Sequence, residues 1–417
     1  MKLQKIILTS AAAGLLAGLT ACSGDSDSTG SDNGSRYTTG PITAFGSVYV
    51  NNSRYNTDNA TVYIEDSVGS KSDLRVGMMV TIKESSPGMA DTIYYDDDVE
   101  GIVLSTNILA DGTGTLDVMG QTVTVTSNTI FESYVSGITS TVGIEVGNIL
   151  EVTGSSSGNG SIMATRLELK AATLADYLTY HSEGIEVKGI VGGHTNTDMT
   201  FDIGSLTVDY TNAVLDDMPA GNWDGLYVEV KSKEPLNASG HMVAYKVELE
   251  NHGSKSYHDY DSDSEVEVKG DVTEVTSDSV TVNGVTYLLN ASTRYEHGTA
   301  DDLIVGVLVE VEGYVNAAGD LVAEEVEFEG HDSDSELEIK DYVSAVGTTD
   351  DPNVGTLEIN GLTIHVNSST IMHDSSDAYI SNFNLSMVGV GDLVKVYYFD
   401  DNGTITATKL ERETAAM

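Results

Sequence analysis

A single cysteine, Cys22, stands in 417 residues. Disulfides within the chain, multi-thiolate metal sites and nucleophilic-cysteine chemistry in the folded body are therefore excluded. Basic residues are nearly as scarce: 20 Lys and Arg face 65 Asp and Glu, a formal net charge of −45. That balance argues against a nucleic-acid partner, because phosphate contacts require clustered Lys and Arg. Proline is scarce as well, at 5 residues, a composition that points to many short strands. The sequence also lacks H-E-x-x-H and phosphate-cradling glycine loops. With so many acids, a pair of carboxylates carries no information about glycoside hydrolysis. The expectation is a non-enzyme without an obligatory cofactor. What is present is apolar content of 40%, enough for packed cores, together with 42 Gly and 21 Tyr. Abundant Val and Thr in short alternating runs predict an all-β protein.

The first residues, MKLQKIILTSAAAGLLAGLTAC, place Lys2 and Lys5 before an apolar run from Ile6 through Leu19. The run is too short for a retained membrane span and reads as a signal peptide over 1–21. Leu19-Thr20-Ala21-Cys22 resembles the bacterial lipoprotein lipobox, in which the thiol of the cysteine carries a diacylglycerol. Cys22 is thus the expected lipidation site, and the membrane the expected partner through that anchor. Small polar and acidic residues over 22–39 read as a flexible tether. Ser23, where an aspartate favours inner-membrane retention by resemblance to enterobacterial rules, points to an outer-membrane lipoprotein of the cell envelope. Whether it faces the periplasm or the exterior is left open.

One pattern then recurs five times, over 40–100, 101–170, 184–251, 265–330 and 336–413. Its clearest copy runs from a strand EVEVKGDV through a hairpin turning at Asn283-Gly284, a polar stretch, a strand LIVGVLVEVEGYV and a closing strand DLVAEEVEFEG. Asn-Gly between alternating apolar residues is a strong hairpin signal, because both turn residues need positive φ. A glycine opens each long fourth strand, at Gly77, Gly147, Gly225, Gly306 and Gly391. Closing strands carry an alanine and an acid four residues on: Ala164 with Glu168, Ala244 with Glu248, Ala323 with Glu327 and Ala407 with Glu411. Val and Phe alternate with Glu, so one face is expected in the core and the other in solvent. Five short strands with a gap after the third match a small five-stranded Greek-key barrel of OB-like plan. A small open sheet that pairs with its neighbour is the alternative.

The ordered set of an E-V-K-G opening strand, an N-G or M-G hairpin, an L-x-V-G-x-x-V-x-V strand and an A-x-x-V-E close resembles domain of unknown function 5666. This is a bacterial repeat family of exported proteins, and the resemblance implies no particular activity. The third copy departs most, with Trp223-Asp224-Gly225 in place of Leu-x-Val-Gly. Trp223 is read as a core plug, with a ligand-stacking platform as the competing role.

Between copies, residues 170–183 carry Leu174, Tyr177 and Leu178 at near-helical spacing and are expected to form a short helix between barrels. Two other linkers end in Asp-Ser-Asp-Ser-Glu. In an extended chain, alternate side chains share a side, so Asp259, Asp261, Asp263 and Glu265 form one candidate calcium set. Asp332, Asp334 and Glu336 form the other, each beside a histidine, His258 or His331. The competing reading is a solvated spacer held extended by its own charge. Asp96-Asp97-Asp98 and Asp400-Asp401-Asn402-Gly403 read as turns, and the histidines fall mostly in loops. The predicted function is a tethered structural or interaction protein, a rod of barrels at the envelope. The alternative is a ligand-binding module for a glycan, peptide or calcium.

Overall fold

The computed structural model describes residues 35–414 apart from 46, 52, 66, 157–158, 251–263, 317–319, 329–336, 377, 382 and 402–403. Cys22, Asp259, Asp261, Asp263, Asp332, Asp334 and Glu336 lie outside the described residues. No helix among the described residues is long and apolar enough to cross a membrane.

The fourth repeat shows the plan most simply. Its strands are Glu265–Val275, Ser279–Val282, Val285–Leu288, Leu308–Val315 and Leu321–Phe328. Asn283 and Gly284 hold φ of 52° and 75° at the hairpin, as an Asn-Gly turn of this kind requires. The first strand pairs with both the second and the fourth, and the third meets the fifth in parallel. This 1-2-3-5-4-1 circuit is a closed OB-like barrel. The second repeat closes through Thr122 to Thr124 against Ser161 to Met163, and the fifth through Ile364 and His365 against Ile405 and Thr406. The third closes through Val208 and Asp209 against Met242 and Val243, and the first through a single bridge, Asn56 to Met89.

The five fourth-strand glycines are structurally equivalent. Gly77, Gly147, Gly225, Gly306 and Gly391 all have φ between 85° and 94°. Each donates its N–H to the first strand of its own barrel, at Ile42, Val103, Val191, Val272 and Val343, and each of those residues donates back to the residue after the glycine. The closing-strand alanines have a reason as well. Ala90, Ala164, Ala323 and Ala407 each sit beside a one-residue register shift. Thr129, Thr293 and Thr370 donate their hydroxyls to the carbonyls of Ala164, Ala323 and Ala407 at 2.8, 3.0 and 2.8 Å.

Two expectations need correction, and the plan of five-stranded barrels gains an element outside the barrel circuit. The gap after the third strand holds a sixth strand, parallel to the closing one: Thr61–Ile64, Ile130–Ser133, Val214–Asp216, Arg294–Glu296 and Ile371–Asp374. The barrels also do not form a rod. First strands of repeats one and four pair in parallel, those of two and three pair antiparallel, and the first repeat further contacts the fifth, where Met372 donates its N–H to the Thr43 carbonyl. Residues 34–417 make one compact unit. Finally, His194 and His373 lie in strands, and burial holds His373 down at about 4.

Cores follow the same division. The fourth repeat has an apolar cluster drawn wholly from itself, from Val266 to Phe328. Repeats two and three share one cluster that runs from Val99 to Val247. Trp223 belongs to it: buried, with its Nε1 donating to the Pro219 carbonyl at 2.8 Å and its ring stacked 4.3 Å from His194. It is a core plug.

Candidate functional site: a charged cleft among three barrels

Strand alternation puts every second residue on the outer face of each barrel, and across repeats two and three those outer residues line up in register. Glu132 faces Glu168, Glu168 faces Glu151, Glu151 faces Glu100, and Glu100 faces Glu186. Like charges directly opposite are destabilising. Cations from the same strands, two residues along, break up this row of five carboxylates.

Arg166 donates through Nε to Glu168 at 2.7 Å, holds Glu132 through Nη2, and donates through Nη1 to the Val76 carbonyl of the first repeat at 3.1 Å. Lys170 lies 2.5 Å from Glu151 and 3.2 Å from Glu168. Lys231 lies 2.9 Å from Glu186 and 3.2 Å from Glu229. Lys188 is the most buried of these lysines. Its ammonium bonds Asp96 and lies 2.7, 3.1, 3.4 and 3.7 Å from Glu65, Glu186, Asp97 and Glu229.

Asp96, Asp97 and Asp98 are therefore no exposed turn. All three are buried where repeats one, two and three meet. The Asp97 carboxylate accepts from the Lys188 ammonium, its backbone N–H donates to Glu65 at 3.0 Å, and the Asp98 carboxylate accepts the Gly154 N–H at 2.9 Å. By contrast, the Asp400-Asp401 segment ends a strand, and Asp401 pairs with Thr404 across the connection.

Two ammoniums, Lys188 and Lys231, face the five carboxylates around Lys188, and burial disfavours any charge left unpaired. Burial opposes charge on Lys188, but Asp96, Glu186, Glu65 and Asp97 outweigh it and hold the ammonium well above the usual lysine range. Burial, reinforced by neighbouring acids, pushes Asp96 and Asp97 well up. Glu229 rises to about 7 by burial, while Lys188 and Lys231 outweigh burial at Glu186 and hold it at about 2. Glu100 is pushed up to about 8 by burial and by Glu151.

Over this row lies a cleft of about 520 Å³. Its floor is Asp97, Glu100 and Glu151, which offer carboxylate oxygens within 4.8 Å of one another. Its walls are Arg75 and Met78 of the first repeat and the helix-bearing linker of the second. That linker forms the expected short helix, Leu174–Tyr177, capped by Thr173, whose side chain accepts the Asp176 N–H. The helix buries Tyr177, whose hydroxyl donates to Glu100 and lies 3.3 Å from the Gly184 carbonyl. Tyr134 and Tyr180 stand exposed at the rim. Such a site offers carboxylates and phenols to a cation or a polyhydroxyl ligand.

Of the residues singled out as calcium ligands, the described one is Glu265, and its carboxylate bonds Arg36 at 2.6 Å. Sequence reasoning missed the cleft residues. The usable signal was Arg166-Leu167-Glu168-Leu169-Lys170, three charges on one strand face.

The sequence model of the family described as "Domain of unknown function (DUF5666)" matches residues 39–85, 100–168, 269–327 and 342–411. The third repeat falls outside the matched regions, in keeping with its departure at Trp223. No curated protein matches the chain. A solved structure titled "drosophila Unr CSD456" is similar at a TM-score of 0.16 and 13% identity, covering 57% of this chain and 99% of that one. The barrel assignment rests on strand order and not on that likeness. With matched regions spanning more than half of its length, the chain belongs to the DUF5666 family.

Proposed function

We propose that the chain is a non-enzymatic, lipid-anchored scaffold of the cell envelope, attached through Cys22 and presenting a body of five barrels for interaction. The observation that carries the scaffold role is the set of buried cations, Lys188 and Arg166, each bonded to groups from more than one repeat. A chain of independent ligand-binding beads has no need of charges buried at its joints, because taking charges out of water is costly. Joints of this kind hold one relative arrangement. The anchor is supported by Leu19-Thr20-Ala21-Cys22 at the end of the apolar run, and the outer membrane by Ser23.

Fractionation tests the anchor. The wild-type chain partitions into detergent and membranes, and Cys22→Ala moves it to the soluble fraction; a Cys22→Ala chain that still partitions with membranes contradicts the reading.

One observation favours a second reading, ligand binding. The cleft combines three clustered carboxylates with exposed Tyr134 and Tyr180. Glycan arrays and calcium titrations probed with Tyr134→Ala distinguish the two: a ligand lost in that variant supports a binding module.

A further inference from the structure

The turn that opens the fourth strand is docked in one repeat and bare in others. In the first repeat, Val76 is 4% exposed and shares an apolar cluster with Ile130 of the second repeat. The Thr165 hydroxyl donates to the Gly77 carbonyl at 2.7 Å, and Arg166 donates to the Val76 carbonyl at 3.1 Å. The fit is close: a Cβ at Gly77 would stand 2.9 Å from the Thr165 carbonyl oxygen. The turn is thus a knob. Its socket is the sixth strand plus the closing strand of another barrel.

The fourth repeat carries an undocked knob. Ile304 and Val305 are exposed, Val305 at 64%, and a Cβ at Gly306 would meet nothing within 4 Å. Val146 and Val390 are also exposed, but Glu145 and Gly389 stand where Ile304 does, so the fourth repeat offers the largest apolar knob.

The third repeat carries an unfilled socket. Val214 pairs with Lys246 as Ile130 pairs with Arg166. Lys246 holds Asp216 and Glu248 as Arg166 holds Glu132 and Glu168. Yet Val214 is 65% exposed and Leu215 46%. One departure is Tyr245 in the place of Thr165, with its hydroxyl donated to the Glu183 carbonyl at 2.6 Å.

We propose that the chain associates with a second copy of itself, the Ile304-Val305-Gly306 knob of one entering the Val214-Leu215-Lys246 socket of the other. The docking of repeat one on repeat two is the intramolecular precedent, and both halves of the contact are exposed within one chain. Because knob and socket are different patches, the contact is heterologous and propagates head to tail. The charge of −45 opposes approach, so added salt strengthens association.

The test is sedimentation of residues 34–417, the compact unit, as wild type, Val305→Asp and Leu215→Asp, with circular dichroism confirming that each remains folded. The expected result is a wild-type sedimentation coefficient that rises with concentration, both single variants monomeric, and an equimolar mixture of the two variants that stops at a dimer, since only one productive knob and socket remain. A wild type that stays monomeric across the range, single variants that associate like wild type, or a mixture that stays monomeric would each overturn the proposal.

Discussion

The fourth repeat and the joined second and third repeats are written in the same pattern, alternating valine and glutamate, and the two regions use the glutamates differently. In the fourth, Glu310, Glu312 and Glu325 remain at least partly in solvent, and the barrel's apolar cluster is its own. In the second and third, the outer row is covered by the first repeat and by the helix-bearing linker, and the apolar cluster is common to both barrels. An outer glutamate is a solubilising residue until a neighbouring barrel covers it. Then it must be paired or protonated. Cations two residues along the same strands decide which of these happens.

The largest expected contrast follows from Lys188. Replacing it with Met leaves Asp96, Asp97, Glu65, Glu186 and Glu229 without their shared ammonium, a change of the kind that costs about 3–5 kcal/mol. Denaturant unfolding is expected to show that loss for Lys188→Met. Arg294→Met, which removes the exposed partner of Glu325 in the fourth repeat, is expected to leave the midpoint where it was.

Autonomy gives the next contrast. A fragment of residues 265–330 is expected to melt cooperatively by circular dichroism, though marginally for its size. A fragment of residues 101–170 is expected to lack a cooperative melt, because half of its apolar cluster belongs to the third repeat. A cooperative melt for both would erase the distinction.

The pH response should separate the two kinds of carboxyl among the buried charges. Glu100 and Glu229, raised from 4.5 to about 8 and about 7, contribute stability that is full below 4.5 and is lost as pH rises towards those values. Glu186, lowered from 4.5 to about 2, contributes stability present above 4.5 and lost as pH falls towards 2. The melting temperature is therefore expected to peak near pH 5, and Glu100→Gln is expected to flatten the alkaline side alone.

The smallest contrast is between equivalent glycines. Gly306→Ala places a Cβ in open space at φ of 90° and should cost about 1–2 kcal/mol in backbone strain. Gly77→Ala adds a clash with the Thr165 carbonyl oxygen and should cost more, measured by the same thermal melts.

Much of this fold is legible in the residues because local chemistry specifies it: Asn283-Gly284 fixes a hairpin, and the five glycines mark a conformation that other residues adopt at a cost. The sixth strand is not legible, since three or four residues such as Arg294–Glu296 show no full alternation and a parallel pairing leaves no turn signal. Asp96-Asp97-Asp98 misleads for a related reason. Three acids in a row resemble a solvated turn, and the ammonium that Asp96 bonds is 92 residues away in the chain. Long-range pairing, invisible in a local window, also turns a string of repeats into one body.

The most direct test of that body is hydrogen exchange of the folded unit in wild type and Lys188→Met. If the buried charges join the barrels, amides in Met79–Ser86, Val99–Ile108 and Ile185–Thr195, from three different repeats, lose protection together, while those in Leu308–Val315 of the fourth keep theirs. Loss confined to Ile185–Thr195, the strand that carries Lys188, would contradict it.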